Sequence, residues 1–311
     1  MKHLFVVNPV AGKSKPEDKI RLIHEAVGRL PAEMRDGSQF EIYVTNAPMD
    51  AAGKIREDAE ASDELRVYAC GGDGTLNECV NGAALRPNVA VTHFPCGTGN
   101  DFIRTFGDDK ARFSDIAELI NGEVRPFDII RCNDRYAINI CSMGIDARVG
   151  TDVHKYSGLP VVGGAAGYVV SLVANYCKGV KQHMTVKVDG LVCGPELNLV
   201  CVCNGRFYGG GFNPTNDARP DDGLMDVLVA SGVGRAKLLG VISGYAKGKY
   251  KLYPQYITCV RTTHLEIECR NVEVINIDGE AEHSRRAVMD LIPGGVNFIV
   301  PRDMEFFRDK N

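Results

Sequence analysis

No Cys-x-x-Cys pair occurs among the eleven cysteines of the chain, and Cys201 and Cys203 share one strand face, a spacing that suits neither a zinc knuckle nor a redox dithiol. The cysteines read as reduced, small apolar core residues, which fits a reducing cytoplasm. A basic excess is also missing. With 36 Lys and Arg against 40 Asp and Glu the net charge is −4, which argues against a general nucleic-acid binder. The seven histidines are dispersed without metal-ligand spacing. The apolar run at residues 4–7 is too short for a signal peptide and reads as a first strand. Tyr156 to Cys177 carries no charge, but five glycine and proline residues and Asn175 between 158 and 175 dilute its hydrophobicity. It reads as a glycine-rich loop and a helix near 165–177 rather than a membrane span.

Two familiar phosphate-binding motifs are incomplete. Gly12-Lys13-Ser14 resembles the end of a P-loop, but the required first glycine falls at Val7. The dinucleotide fingerprint fails where Leu76 is followed by Asn77 instead of glycine. A Walker ATPase and an ordinary dinucleotide-binding dehydrogenase are both unsupported.

At 311 residues the chain is long enough for two domains. Through residue 126, strand-like runs (residues 2–8, 40–44, 65–70 and 89–94) alternate with helical patterns, including Ile20, Ile23, Val27 and Leu30 after Pro16. Two further helices are expected at 50–61 and 75–84. This alternation predicts an α/β domain at 1–126 with a parallel sheet, whose ligands bind beyond the carboxyl ends of the strands. From 127 to 301, short β-rich runs separated by Asn133-Asp134, Asp189-Gly190 and Asp278-Gly279 turns predict an antiparallel β-sandwich, with a helix near 235–247. The fold class expected is therefore α/β plus all-β.

Chemistry concentrates in loops. Cys70-Gly71-Gly72-Asp73-Gly74-Thr75 joins an apolar strand to an amphipathic helix, and such a helix start leaves unpaired N–H groups that favour an anion. A carboxylate among those amides, Asp73, points to a cation or a proton-transfer task, hence Mg²⁺-nucleotide chemistry. Asn8-Pro9-Val10-Ala11-Gly12-Lys13 follows the first strand, and Pro95-Cys96-Gly97-Thr98-Gly99-Asn100-Asp101-Phe102 follows the fourth. Each glycine loop alone is more often a plain turn; three at successive strand ends of one sheet could hold a polyphosphate with Mg²⁺. In the second half, Arg219-Pro220-Asp221-Asp222-Gly223-Leu224-Met225-Asp226 brings three carboxylates around a turn, and Tyr245 to Lys251 is a basic-aromatic stretch that suits either a solvated helix end or an anionic membrane.

Together these motifs resemble the diacylglycerol kinase catalytic-domain superfamily, which includes soluble bacterial lipid kinases and sphingosine kinases. The likeness runs through Asn8-Pro9-x-x-Gly12-Lys13, Gly71-Gly72-Asp73-Gly74-Thr75-x-x-Glu78, Pro95-x-Gly97-Thr98-x-Asn100-Asp101-Phe102, Ser142-Met143-Gly144-Ile145-Asp146-Ala147, Asp221-Asp222-Gly223-Leu224 and Asp278-Gly279-Glu280. The resemblance implies a Rossmann-like first domain of the NAD kinase and phosphofructokinase type, with a tail at about 302–311 returning to it. It implies an ATP-dependent, cytoplasmic lipid kinase of phospholipid biosynthesis, peripheral at the membrane and open to homodimer formation. ATP would lie in a cleft between the domains. Asn8, Pro9, Gly12, Lys13, Thr45, Gly71, Gly72, Gly74, Thr75 and Thr98 would contact the nucleotide. Asp73 would sit by Mg²⁺, and Glu280 would be the base; the sphingosine kinase branch makes Asp73 a rival for that role. A structural Mg²⁺ would be held by Asp222 and the carbonyls of Arg219 and Leu224, with Asp128 linked through water. The lipid tails would enter near 159–176 or the loop Phe207–Phe212. A soluble-substrate kinase of the NAD kinase type, for which Asn77-Glu78 is the relevant dipeptide, and a silent nucleotide sensor are the alternatives.

Overall fold

The computed structural model describes residues 1–145, 147–149 and 179–310, so the helix expected at 165–177, the lipid-tail region at 159–176 and Asp146 lie outside the described residues. The chain divides into two compact units, Met1–Phe127 with Gly294–Asn311, and Asp128–Pro293.

In the first unit, β1 (Lys2–Val7), β2 (Gln39–Val44), β3 (Leu65–Gly71) and β4 (Val89–Pro95) run parallel in the order β2-β1-β3-β4. The end of β14 (Glu280–Val300) adds to β4 in parallel, with Asn297 opposite Ala90. Leu4 to Val7 and most of β3 and β4 are fully buried, as near-continuous apolar runs in a parallel sheet should be. Val7 lies opposite Val44 and Cys70, and Cys70 opposite Phe94. That register brings four strand ends to one edge of the sheet, where the loops of interest begin.

The helices are α1 (Pro16–Gly28), α2 (Ala32–Arg35), α3 (Asp50–Ala61), α4 (Asp73–Ala83) and the short α5 (Ile116–Ile120). Pro16 opens α1, where its missing N–H costs nothing. α4 begins at Asp73, two residues earlier than its apolar pattern suggests, because extended Gly72 (ψ −166°) lets the chain enter the helix at once. A 3-10 segment, Phe102–Ser114, kinks at Gly107 and was not legible in the pattern. It feeds a cluster of phenylalanines: Phe102, Phe106, Phe113, Phe127 and Phe298, joined by Phe306 and Phe307 of the C-terminal 3-10 turn.

In the second unit, β7 (Ile140–Gly144), β10 (Glu196–Cys203), β11 (Met225–Ser231), β12 (Ile257–Thr262) and β13 (His264–Ile277) pair antiparallel in the order β12-β11-β10-β7-β13. β8 (Gln182–Val188) pairs with β10, β13 and the short β9 (Leu191–Cys193), and β5 (Glu123–Cys132) pairs with β6 (Arg135–Ala137). From Leu199 onward the period of two sorts β10. Val200 and Val202 enter one buried cluster with Met143, Val227 and Ile275, while Cys201 and Cys203 enter another beneath α6 (Arg235–Tyr245) with Leu238 and Tyr245. The cysteines of β10 are therefore buried core thiols, not disulfide partners, their Sγ atoms 3.6 Å apart.

Candidate active site

The three glycine loops of the first unit are tied into one rim. The carbonyl oxygen of Gly71 accepts the N–H groups of Cys96 (2.8 Å) and Gly97 (3.1 Å), joining the third-strand and fourth-strand loops. The neutral ring of buried His93, whose Nε2 lies 3.1 Å from the same oxygen, adds a further donor. Asn8 joins the first loop to the third: its Nδ2 donates to Thr75 Oγ1 at 3.0 Å, while its Oδ1 accepts the Val10 N–H at 3.0 Å. Close approach explains the glycines. Gly12, at φ +71°, lies where a Cβ would collide with the Cys96 carbonyl, and a Cβ on Gly97 would collide with Gly72 Cα.

Asp73 is the first residue of α4, and its Oδ1 accepts the N–H groups of Asp101 (2.7 Å) and Phe102 (3.4 Å), so the carboxylate clips the fourth loop onto the third. Burial raises its pKa above the usual carboxylate range; the amides of Asp101, Phe102 and Asn100 and the Arg104 guanidinium oppose that rise without cancelling it. Arg104 also pairs with Asp101 (3.3 Å) and donates to the Gly99 carbonyl (3.0 Å). The first amides of α4 have no partner within the helix and stand at this rim. A nucleotide-bound Mg²⁺ needs only one or two protein carboxylates, and Asp73 fits that part. Among the described residues no group of three or more His, Cys, Asp and Glu side chains forms a dedicated metal cage.

The expected nucleotide contacts fall at this edge. Asn8, Pro9, Gly12 and Lys13 occupy the loop after β1, and Gly71, Gly72, Gly74 and Thr75 the junction of β3 and α4. Thr98 lies after β4, exposed, and Thr45 follows β2, its N–H donating to Val7 O at 3.0 Å. One residue escaped sequence reasoning. Lys19, only 1% exposed, donates its Nζ to the carbonyls of Asn8 (2.9 Å) and Ala11 (2.7 Å). The signal available was a cation on the α1 stripe that faces the core, four residues before buried Ile23.

In the second unit Asp278 and Gly279 form a two-residue turn between β13 and β14, with φ +50° and +100°. The Asp278 carboxylate accepts the N–H groups of Ile138 (2.8 Å), Asn139 (3.1 Å) and Ile140 (2.7 Å), anchoring this hairpin to the start of β7. Glu280, the next carboxylate, is exposed, and no hydrogen bond or ion pair engages it among the described residues.

The turn at Arg219, Asp222 and Leu224 does not fit the structural Mg²⁺ that the resemblance implies. Asp222 Oδ1 accepts the Leu224 N–H (3.1 Å), and its Oδ2 is ion-paired with Arg261, which also faces buried Asp226 at 3.6 Å. A guanidinium already neutralises the carboxylate that a metal would use. Asp128 touches this turn, its Oδ2 accepting the Gly223 N–H at 2.8 Å. The basic-aromatic stretch also separates into parts: Tyr245 and Tyr250 are buried, whereas Lys247, Lys249, Lys251 and Leu252 are exposed. Tyr208 of the 207–212 loop is buried against Tyr245, their hydroxyls 3.1 Å apart. No helix among the described residues is long and apolar enough to cross a membrane.

A parallel sheet with phosphate-type amide loops, followed by a β-rich unit bearing an Asp-Gly-Glu hairpin, defines a phosphotransferase-like arrangement. The chain belongs to the diacylglycerol kinase catalytic-domain family, whose catalytic domain matches residues 2–132 and whose YegS C-terminal NAD kinase beta sandwich-like domain matches residues 139–300. It is 29% identical over 255 residues to a diacylglycerol kinase of Bacillus subtilis, covering 78% of this chain and 80% of that one. A probable lipid kinase YegS-like protein of Pseudomonas aeruginosa is 26% identical over 303 residues, 94% of this chain and 98% of its own. A crystal structure of a diacylglycerol kinase from Bacillus anthracis has the same fold, with a TM-score of 0.69 at 22% identity over 97% of this chain and 98% of that one.

Proposed function

We propose that this protein is an ATP-dependent lipid kinase that transfers the γ-phosphate to the primary hydroxyl of diacylglycerol or a related lipid alcohol. The observation that carries the reading is the Gly71 carbonyl, the Asp73 carboxylate and the Asn8 side chain drawing three amide-bearing loops into one rim at the carboxyl edge of a parallel sheet. Phosphoryl transfer depends on positioning and charge neutralisation, which such a rim supplies. The amides at the start of α4 and the loops of Asn8 to Lys13 and of Thr98 hold the phosphates, with Thr45 beside them. Mg²⁺, when bound with ATP, neutralises phosphate charge next to Asp73. Asp73 keeps the loops in register, and Glu280, exposed and unengaged, accepts the proton of the lipid hydroxyl as its oxygen attacks the γ-phosphorus and ADP leaves. The exposed Lys247, Lys249, Lys251 and Leu252 suit peripheral contact with an anionic membrane surface.

One observation weighs against the NAD kinase-type alternative. Asn77, the residue that reading needs at a substrate, is fully buried within α4. Incubation with labelled ATP, Mg²⁺ and micelles of diacylglycerol, ceramide or sphingosine, alongside NAD in solution, separates the two. The expected result is label in the organic phase with diacylglycerol or another lipid alcohol; label on NAD alone overturns the reading.

A further inference from the structure

Lys19 occupies a position that an amphipathic helix normally gives to an apolar residue. It lies one turn before Ile23 on the buried stripe of α1 and is 1% exposed. Its Nζ spends two donors on the carbonyl oxygens of Asn8 (2.9 Å) and Ala11 (2.7 Å). No carboxylate pairs with it among the described residues. Buried lysines are ordinarily paired, because an ion taken out of water without a counter-charge is costly. Two neutral carbonyls satisfy hydrogen bonds but do not balance the charge.

The surroundings show where a balancing anion would come from. The segment that Lys19 grips, Asn8 to Gly12, is the one whose Asn8 side chain bonds Thr75 and whose Gly12 seats on the Cys96 carbonyl. The lysine's field reaches the neighbouring loop: burial pushes the Cys96 thiol up to about 11, and Lys19 pulls against that rise. The positive charge thus lies beneath the meeting point of the loops, in a poorly screened interior.

We propose that Lys19 is a positioning residue for the polyphosphate of the nucleotide. Its ammonium fixes the carbonyls of the first loop so that the loop's amides face outward, and its unbalanced charge is neutralised by the phosphates when they bind. This rests on the reading of the rim as an ATP site.

Lys19→Met removes charge and donors, and Lys19→Gln keeps a donor without the charge. Calorimetric affinities for ATP, inorganic tripolyphosphate and adenosine are measured for wild type and both variants, with circular dichroism to confirm folding. The expected result is a loss of roughly tenfold or more for ATP and tripolyphosphate in both variants, with adenosine affinity changed by less than about twofold. A Lys19→Gln protein that binds ATP as wild type does, or equal losses for adenosine and ATP, overturns the proposal and leaves Lys19 a strut. Wild-type protein that binds neither ATP nor tripolyphosphate overturns the rim reading itself, a distinct result.

Discussion

At the scale of single residues, the site turns on atoms that do several jobs at once. The Gly71 carbonyl oxygen meets two backbone amides and the His93 ring, and that ring is completely buried, its Nδ1 without a hydrogen-bond partner among the described residues. Burial holds the His93 pKa down, from 6.5 to about 4. A depressed folded-state pKa means that the unfolded chain binds a proton first on acidification. The stability is therefore complete above pH 6.5 and is lost as pH falls toward 4, by about 3 kcal/mol for this group. Urea denaturation should show His93→Gln losing less stability than wild type between pH 7 and pH 5. His3, also held down to about 4 by burial, leaves a residual slope in both proteins. Equal slopes would show that folding leaves the His93 pKa unshifted. Asp73 and Glu280 divide at the same scale: one carboxylate is committed to backbone amides, the other to none.

At the scale of elements, the loops matter more than the helices and strands they connect. Gly97→Ala adds a Cβ where Gly72 Cα already stands, so ATP affinity should fall roughly tenfold or more, while the far-ultraviolet dichroism stays unchanged; wild-type affinity would show that the loops need not touch. The Asp221–Leu224 turn yields a contrasting expectation. Because Arg261 neutralises Asp222, Asp222→Ala should cost about 1 kcal/mol, given its partly exposed partner, and cost the same in EDTA as in Mg²⁺. A wild-type melting temperature that drops in EDTA would place a metal there after all. Much of this level was legible in the sequence. Strand-like runs followed by glycine-bearing loops announced the parallel sheet and its rim, and Asp278-Gly279 announced a tight hairpin. What was hidden had weak local signals. The long strand Glu280–Val300 carries charged residues over its first half and Pro293-Gly294-Gly295 near its end, so alternation is blurred. The inward lysine of α1 was masked because its helix face was read from Ile20, Ile23 and Val27.

At the scale of the whole molecule, the chain returns to its first unit at Gly294, and its last residues are held by aromatic packing. Phe306 meets Phe106 edge-on at 5.1 Å, Arg125 lies 4.3 Å over the Phe307 ring, and Met304 is buried. Ending the chain after Arg302 should cost roughly 4 kcal/mol from lost apolar burial, read as an earlier calorimetric transition; an unchanged transition would show that the tail is an ornament. The two family matches span both units. The most direct test is single-turnover transfer of labelled γ-phosphate from ATP to diacylglycerol by wild type and Glu280→Gln, with ATP affinity measured alongside. A lipid kinase using Glu280 as base transfers label in the wild type, slows by about 10²- to 10⁴-fold in the variant, and binds ATP equally well in both. Undiminished transfer by Glu280→Gln, or none to any lipid by the wild type, would contradict it.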